Sequence, residues 1–391
     1  NIGHDHQNIV EHVIYNPDAQ HMTITYVDDT TGETLKQDKL DGTSDQDTKY
    51  TTGDSIKQYE DQHYKLVSDS TNGKDLIFDH DDKADQAYEV HFIHDTQKVN
   101  RKDTVTETID YKFEDGKTAQ PTVTQIENFS EDGTKDLVTG ETTWDEATSQ
   151  TFEDVVTPKM TGYTPDKDKV KGSTVNFGNP DINVTVHYIA NDQTAKITYI
   201  DDTTETKLDS KDASGKFGQT ITFATAPAAE IANYEKQGYV YVSNNFDNQT
   251  YQADNKSNSF EVHLKHGKVT VTPNTPQTPN TPINPNDPQS PKYPKDINNT
   301  NKDVKRTIDY KYSDGKTAQP TVNDSLHFER TVVIDKVTGD VLSDTWTPSQ
   351  DFNDVQTPVI QGYKPDRTVV SDKNIGHDHQ NIVEHVIYNP D

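Results

Sequence analysis

Two motifs in this sequence place histidine beside aspartate at the spacing of a metal half-site. His-Asp-His occurs at residues 4–6 and again at 377–379. On a β-strand both imidazoles would leave one face, two residues apart, as in half of a zinc site. No third ligand is recognisable in the sequence, and glycine precedes both motifs, as in a polar turn. The turn interpretation is favoured, so no metal site and no cofactor are predicted.

A second histidine pattern has the wider spacing His-x-x-His. It occurs at His91 and His94 and recurs at His263 and His266. Strand alternation would point the two rings of each pair to opposite faces of a sheet. They are therefore predicted to be separate surface or sheet-edge histidines.

The acidic run at residues 79–85 could bind calcium through its carboxylates. It lacks the central glycine and the terminal glutamate of an EF-hand loop, and the equivalent residues 252–255 keep little of the charge. A solvated hairpin loop is the favoured interpretation.

Catalytic signatures are missing from the sequence. It contains no cysteine, no Gly-x-Ser-x-Gly elbow and no phosphate-binding glycine loop. Because the sequence has 66 acidic residues, a carboxylate pair for glycoside hydrolysis is an alternative hypothesis. Repeated hydrolase sites on modules this small would, however, be unusual. No enzyme activity and no catalytic residue are predicted.

Internal repetition sets the framework that must position all of these residues. Residues 1–18 and 374–391 are identical, as are 115–123 and 314–322. A short unit and a long unit alternate along the chain, and such arrays suit surface proteins that gain avidity from repeated weak sites. The predicted segments are the tail of a long unit (1–18), a short unit (19–98), a long unit (99–192), a short unit (193–268), a proline-rich linker (269–300) and a long unit (301–391).

Composition limits what each unit can be. Only 29% of the residues are hydrophobic and the net charge is −29, yet short alternating apolar runs predict half-buried strands. Each unit can bury one modest core. The acidity opposes binding to nucleic acid and to anionic membrane surfaces, and no apolar run is long enough for membrane insertion.

The short unit is predicted to run strand, strand, helix, strand, strand. Residues 227–237 are the best helix, with Pro227 in the first turn and Gly238 after the end. Residues 55–62 should form the same helix in the first copy, ending less cleanly because His63 replaces the glycine. Two hairpins across one helix describe a β-grasp arrangement, with the first and last strands parallel at the sheet centre.

The linker has a proline at every third position from 273 to 294. Polyproline II has three residues per turn, so this segment is predicted to be a stiff extended spacer of roughly 65–70 Å.

Taken together, these motifs resemble the mucus-binding (MUB or MucBP) repeats of Gram-positive bacterial surface adhesins. The Ile-Thr-Tyr-Val/Ile-Asp-Asp openings at 24–29 and 197–202, the Gly-Tyr steps at 162–163 and 362–363, and the Val-His-Tyr close at 186–188 carry the resemblance. It implies an α+β fold of tandem small ubiquitin-like β-grasp domains in an elongated array. It also implies a monomeric fragment of an extracellular, cell-wall-anchored protein, with the anchor and the signal peptide outside this fragment.

The function implied by the resemblance is adhesion to mucin glycoproteins through low-affinity modules. Some members of that family also bind immunoglobulins, which makes immunoglobulin a second expected partner. Exposed tyrosines and loop asparagines or aspartates are the expected glycan contacts, although no ligand-binding residue can be assigned. A rival hypothesis is a structural stalk that projects a distal binding domain from the cell wall.

Overall fold

The computed structural model describes residues 10–391. The chain is mostly β, with 51% of residues in strands and 6% in helices. Its backbone contacts define two compact units. One comprises the chain up to Pro158 with Pro165–Tyr188, and the other comprises Lys159–Thr164 with Ile189–Asp391. Each unit contains one short domain and most or all of the long domain that follows it.

The first short domain is a four-stranded sheet with one helix. Its elements are β1 (Ala19–Asp28), β2 (Glu33–Thr43), α1 (Gly53–Asp61), β3 (Tyr64–Asp69) and β4 (Gln86–His94). The strand order is β2-β1-β4-β3, and the central pair, β1 and β4, is parallel. The predicted element order and the predicted parallel pairing of first and last strands are confirmed.

The first long domain is built around one long hairpin. Its elements are β5 (Thr96–Phe113), β6 (Thr118–Asp136), β7 (Thr142–Trp144), β8 (Gln150–Thr151), β9 (Val155–Val156), β10 (Tyr163–Pro165), β11 (Lys169–Val170), β12 (Thr174–Val175) and β13 (Ile182–Ala190). The main sheet has the order β10-β13-β5-β6-β7, with β13 parallel to β5. Strand β5 begins inside the segment that the repeat pattern assigns to the short unit, so the two domains meet without a linker.

The second short domain repeats the architecture of the first. It contains β14 (Asp192–Asp201), β15 (Thr206–Lys216), α2 (Pro227–Lys236), β16 (Tyr239–Asn244), a 3₁₀ turn (Asn255–Asn258) and β17 (Ser259–His266). Its strand order is β15-β14-β17-β16, again with a parallel central pair. The predicted helix at 227–237 is confirmed to within one residue.

The second long domain is again a long hairpin with added short strands. Its elements are β18 (Lys268–Val271), β19 (Asn301–Tyr312), β20 (Thr317–Asp335), β21 (Val341–Trp346), β22 (Val355–Gln356), β23 (Tyr363–Pro365), β24 (Val369–Val370) and β25 (Ile382–Pro390). Strand β25 lies parallel to β19. The stretch identical to residues 1–18 therefore ends in a central strand here.

Neither long domain contains a helix among the described residues, which differs from the β-grasp arrangement predicted for them. Between β6 and β13 the chain forms only short strands and turns. The physical reason is local: this stretch is interrupted by Pro158 and Pro165 and offers no amphipathic run long enough for a helix.

Alternating burial along the central strands builds each core. In β1 the side chains of Met22, Ile24 and Tyr26 are at most 1% exposed, and Val90 and Phe92 of β4 face them. Helix α1 covers this row with Ile56 and Tyr59. The cores are small, as the composition predicts.

The proline-rich segment is folded, and the predicted extended rod is wrong. Ile283 donates its backbone N–H to the carbonyl of Pro291, and Tyr293 donates to Thr281, so the chain turns back on itself. Ile283, Tyr293 and Ile297 are buried against β18 and β20. These apolar residues, spaced between the prolines, gain more from burial than an exposed polyproline helix could offer.

No helix in the described part of the chain is long and apolar enough to cross a membrane.

The second residue after each helix adopts a left-handed backbone, and this generates a prediction. Gly238 has φ +98° and His63 has φ 69°. A Cβ on Gly238 would lie 2.6 Å from the carbonyl oxygen of Lys336. We expect Gly238→Ala to lower the free energy of unfolding by about 2 kcal/mol, through backbone strain and this clash. His63→Gly should raise it by up to about 1 kcal/mol, since relief of strain is partly offset by chain entropy. Calorimetry measures both, and equal effects of the two variants would contradict this account.

Arg306 generates a second prediction, because its side chain is fully buried. Its guanidinium donates to Asp324 at 2.6 Å, to Asp372 at 3.0 Å and to the carbonyl of Asn353 at 2.8 Å. Arg306→Ala leaves these acceptors without their cation and should cost about 3–5 kcal/mol of stability. The control is Arg367→Ala at a partly exposed pair with Glu384, expected to cost no more than about 1 kcal/mol. Chemical denaturation compares them.

Candidate functional site

The described His-Asp-His motif does not form a strand or a metal half-site. The ring of His377 stacks on Trp346, with centroids 4.6 Å apart and planes 6° from parallel. The ring of His379 instead hydrogen-bonds the carbonyl oxygen of Gln380 at 2.7 Å. The two imidazoles therefore have separate partners in a turn. The matching motif at residues 4–6 lies outside the described residues.

The acidic run at 79–85 is a loop whose carboxylates bond its own backbone. Asp79 accepts the N–H of Asp81 at 3.1 Å, and Asp81 accepts the N–H of Lys83 at 3.0 Å. Asp82 accepts the side-chain amide of Gln20. Among the described residues, no group of three or more histidine, aspartate or glutamate side chains has the geometry to hold a metal ion.

The outer histidine of each His-x-x-His motif lies on the sheet surface between two carboxylates. The ring of His91 contacts Asp29 at 2.7 Å and Glu89 at 3.0 Å. His263 contacts Asp202 and Glu261 in the same way, at 2.7 and 3.1 Å. Asp29, with Glu89, raises the pKa of His91 above its ordinary value. The prediction of surface histidines is confirmed for these two.

The prediction is wrong for the inner histidines, His94 and His266. Each is buried, with a side chain 5% exposed, and each ring lies between two aspartates. For His94 these are Asp28 and Asp136; for His266 they are Asp201 and Asp335. Sequence alternation places these rings on the core side of the sheet, but it does not reveal that an acid from the following domain meets them there.

Tyrosine, the expected glycan contact, serves mainly in the cores. Eight tyrosines are buried: Tyr26, Tyr111, Tyr188, Tyr199, Tyr251, Tyr293, Tyr310 and Tyr388. Tyr241 on the edge strand β16 is 40% exposed, and its hydroxyl accepts the side-chain amide of Asn244 at 2.8 Å. Asn244 belongs to β16 and not to a loop, so the expectation of exposed tyrosines and loop amides as glycan contacts stays a prediction.

The second short domain contains a cleft of about 530 Å³, here named the β14–β15 cleft. Its lining comes from β14, β15 and the 3₁₀ turn, namely Thr194, Ala195, Lys196, Asp212, Ala213, Ser214, Asn255, Asn258 and Ser259. Its volume falls in the range of about 300–1,000 Å³ that is typical of small-ligand sites. Lys196 and Asp212 form an ion pair at 3.1 Å with both side chains more than half exposed.

Side-chain size distinguishes this cleft from the matching surface of the first short domain. At the same strand registers the first domain has the pairs His21–Asp41 and Met22–Leu40. The second has Thr194–Ser214 and Ala195–Ala213. In the first domain the ring of His21 bonds Asp41 at 2.6 Å, and Met22 is 1% exposed in the core. All four side chains are smaller in the second domain, which leaves space between the strands and the turn.

Chemically, the cleft offers two alanine methyl groups among hydroxyls, an amide, an ammonium and a carboxylate. Such a mixture can hydrogen-bond a hydroxylated ligand while packing against a small apolar group. Sequence reasoning missed the cleft because alanine and serine carry no motif. The available signal was the loss of side-chain volume at four paired positions between the two copies.

Comparison with known protein families identifies the class of this protein. The short domains match a family described as "Mucin binding domain" at residues 20–94 and 193–266. The long domains match a family described as "Muc B2-like domain" at residues 96–192 and 295–391. The chain is thus an alternating array of these two domain types. It belongs to the mucus-binding repeat proteins.

Several solved structures are similar to parts of the chain. A crystal structure of Mub-RV is 38% identical and covers 44% of this chain and 99% of its own, with a TM-score of 0.39. The type 2 repeat of the mucus binding protein MUB from Lactobacillus reuteri is 32% identical and covers 44% and 100%, with a TM-score of 0.34. A MucBP domain from Lactobacillus acidophilus is 35% identical over 25% of this chain and 100% of its own, with a TM-score of 0.23. A comparison with curated proteins gives no significant match.

The surface histidines give a testable pH property. Replacing Asp29 with asparagine removes the main cause of the raised pKa of His91, so the pKa should fall toward its ordinary value of 6.5. The ion pair stabilises the domain below that value and weakens as pH rises through the raised pKa. Titration of the ring protons by NMR measures the change. His263 keeps its partner Asp202, so its pKa should not change and it is the internal control. An unchanged pKa of His91 would contradict the role of Asp29 in raising it.

Proposed function

We propose that this chain is part of a bacterial surface adhesin that binds mucin glycoproteins through their glycans. The observation that carries the proposal is the match of both short domains to the mucin binding domain family, alternating with Muc B2-like domains. The four-stranded sheet with a parallel central pair and one helix supports a β-grasp assignment for the short domains. An extracellular, wall-anchored location and an elongated monomeric array are part of the same proposal.

Binding by such an array relies on repetition. A single small polar site, such as the β14–β15 cleft, should bind a sugar with low affinity. Linked sites that engage one mucin molecule together gain roughly 10²–10⁴ in overall affinity without new contacts. Local hydrogen bonds must provide the recognition, because the chain has a net charge of −29 and repels acidic glycans at long range.

The β14–β15 cleft is the proposed sugar site of the second short domain. The cleft is lined by alanine methyl groups together with hydroxyl, amide and charged side chains. This lining suits an acetamido sugar, which carries one methyl group among several hydrogen-bonding groups. Asn258 is not free to take part, since its side-chain amide already donates to the carbonyl of Gln252 at 2.8 Å and accepts its N–H at 2.8 Å. Thr194, Ser214, Asn255 and the Lys196–Asp212 pair remain for the ligand.

The direct test of the proposed function is binding of the whole chain to immobilised mucin before and after enzymatic removal of the glycans. We expect saturable binding that is lost on deglycosylation. Binding that survives deglycosylation would point to the mucin polypeptide. Absence of binding even at high concentration would favour the rival function, a stalk that spaces a distal domain from the cell wall. Immunoglobulin is the second partner implied by the resemblance. Binding of the whole chain to immobilised immunoglobulin is measured in the same way.

Refilling the cleft tests its role in this binding. Ala195→Met combined with Ala213→Leu restores the residues of the first short domain, which accepts them at the same registers. We expect the fold to be kept and mucin affinity to fall by about tenfold, because one of several linked sites is lost. The matched control is Val240→Met at an exposed position on β16, with affinity unchanged. Equal affinity of the refilled variant and the control would exclude the cleft as a sugar site.

A further inference from the structure

Each short domain meets the following long domain through one buried histidine. In the first pair, His94 lies at the end of β4, 2.8 Å from Asp28 through Nε2 and 2.5 Å from Asp136 through Nδ1. Asp28 ends β1 of the short domain, whereas Asp136 ends β6 of the long domain. One imidazole therefore joins a carboxylate of its own domain to a carboxylate of the next.

The same cluster recurs in the second pair. His266 lies 2.7 Å from Asp201 through Nε2 and 2.6 Å from Asp335 through Nδ1. The three side chains are between 3% and 8% exposed. Because two separate joints have the same geometry, we treat the contact as a feature of this domain junction.

Backbone groups hold the histidine and the aspartate of the long domain in place. The backbone N–H of His94 donates to Thr30 Oγ1 at 2.8 Å, and Asp136 accepts the backbone N–H of Val138 at 2.9 Å. The N–H of Leu137 also donates to the carbonyl of Asp95 at 2.9 Å, across the joint. The carboxylates and the ring are therefore held in place by the backbone of both domains.

Both ring nitrogens face carboxylate oxygens, and this geometry requires two N–H donors. Only the imidazolium form has them; a neutral ring would turn a lone pair toward one of the carboxylates. We infer that the two Asp–His–Asp clusters are proton-dependent locks, which hold each short domain and the following long domain in one fixed arrangement while the histidine is cationic.

The pH range of the lock follows from its groups. Burial alone would lower the pKa of His94 and of His266, but hydrogen bonds and charge from their aspartates outweigh it and raise both pKa values above 6.5. The stabilisation of the joint by the histidine is thus complete below about pH 6.5, and it is lost as pH rises through the raised histidine pKa values. Burial would raise the pKa of Asp136 and of Asp335, yet their histidines and backbone N–H groups lower both. The stabilisation by the aspartates is present above pH 3.8, their ordinary pKa, and it is lost only as pH falls through their lowered pKa values.

The other titratable groups around the rings leave this range unchanged. Tyr64 packs edge-on against His94 at 5.3 Å, and Tyr239 packs in the same way against His266 at 5.4 Å. Burial, followed by the nearby carboxylates, raises the pKa of each phenol, so both stay neutral across the range. The lock should hold from moderately acidic to neutral conditions and release in alkali.

The second joint has an additional brace. The side-chain amide of Asn284, in the folded proline-rich segment, donates to the carbonyl of Gln237 at 3.3 Å and to that of Lys336 at 2.6 Å. These carbonyls belong to the short and the long domain, and amides do not titrate in this range. The first joint has no such insert, because β5 is one continuous strand, whereas the proline-rich segment lies between β18 and β19. Release should therefore be larger at the first joint.

The test measures distances across each joint in the whole chain. The protein has no cysteine, so pairs of spin labels can be placed at will. One pair is Lys57→Cys with Lys117→Cys, and its equivalent across the second joint is Ala232→Cys with Lys316→Cys; all four positions are exposed. Near pH 6 we expect a narrow distribution of label-to-label distances at both joints. Near pH 9 the width of that distribution should increase about twofold at the first joint and by a smaller factor at the second.

Variants separate the lock from general loosening. His94→Gln should broaden the distance distribution at every pH. The matched control is His91→Gln, which replaces a surface histidine of the same strand and should leave the distribution unchanged. If His94→Gln unfolds the domain, Asp136→Asn provides the second test, because losing one carboxylate should move the release to lower pH. A distribution that stays narrow after NMR shows His94 to be deprotonated would overturn the inference. So would a folded His94→Gln variant as narrow as the unmodified chain.

Discussion

Parallel pairing of the first and last strands is the constraint on which each domain depends. Within residues 10–391 it occurs four times, between β1 and β4, β5 and β13, β14 and β17, and β19 and β25. A parallel pair needs a long connection, and that connection supplies the rest of each domain. Because the first and last strands lie side by side at the sheet centre, both carry buried apolar rows, such as Ile24 and Tyr26 in β1 and Val90 and Phe92 in β4. The end of the last strand also falls beside the end of the first strand, which is how His94 comes to meet Asp28.

This arrangement explains how two domains can be joined without a linker. The chain leaves β4 at the centre of one sheet and enters β5 of the next within a few residues. The joint is therefore built from strand ends and hairpin turns, whose free backbone N–H groups donate to side-chain carboxylates, as Thr30 does to Asp28 and Val138 does to Asp136. The same aspartates contact the buried histidine, which thereby links the two domains. Such a contact responds to protonation in a way that an apolar interface would not.

A shared framework with different side chains is the second theme of the molecule. Register positions that hold Met22 and Leu40 in one short domain hold Ala195 and Ala213 in the other, and a cleft results. In the long domains, the buried Glu107 bonds Gln125 where Arg306 bonds Asp324 in the second copy. The Glu107–Gln125 and Arg306–Asp324 exchange is compensated across one strand pair, whereas the exchange to two alanines is not compensated and leaves the cleft. Repeats of this kind can differ in what they bind while stacking in the same way.

The sequence by itself determined the alternation of two repeat types, the strand and helix order of the short domains and the location of α2, because these follow from repeated motifs, from local periodicity and from Pro227 and Gly238. It also indicated that the run at 79–85 is a loop. Only the tertiary structure decided the rest. Ile283, Tyr293 and Ile297 fold the proline-rich segment because an apolar surface lies within their reach, which proline spacing cannot reveal. His94 is buried because Asp136, distant in sequence, arrives from another domain. The cleft exists because four side chains are small at positions that only strand pairing brings together. Local patterns define elements, whereas burial and charge pairing between distant residues define sites.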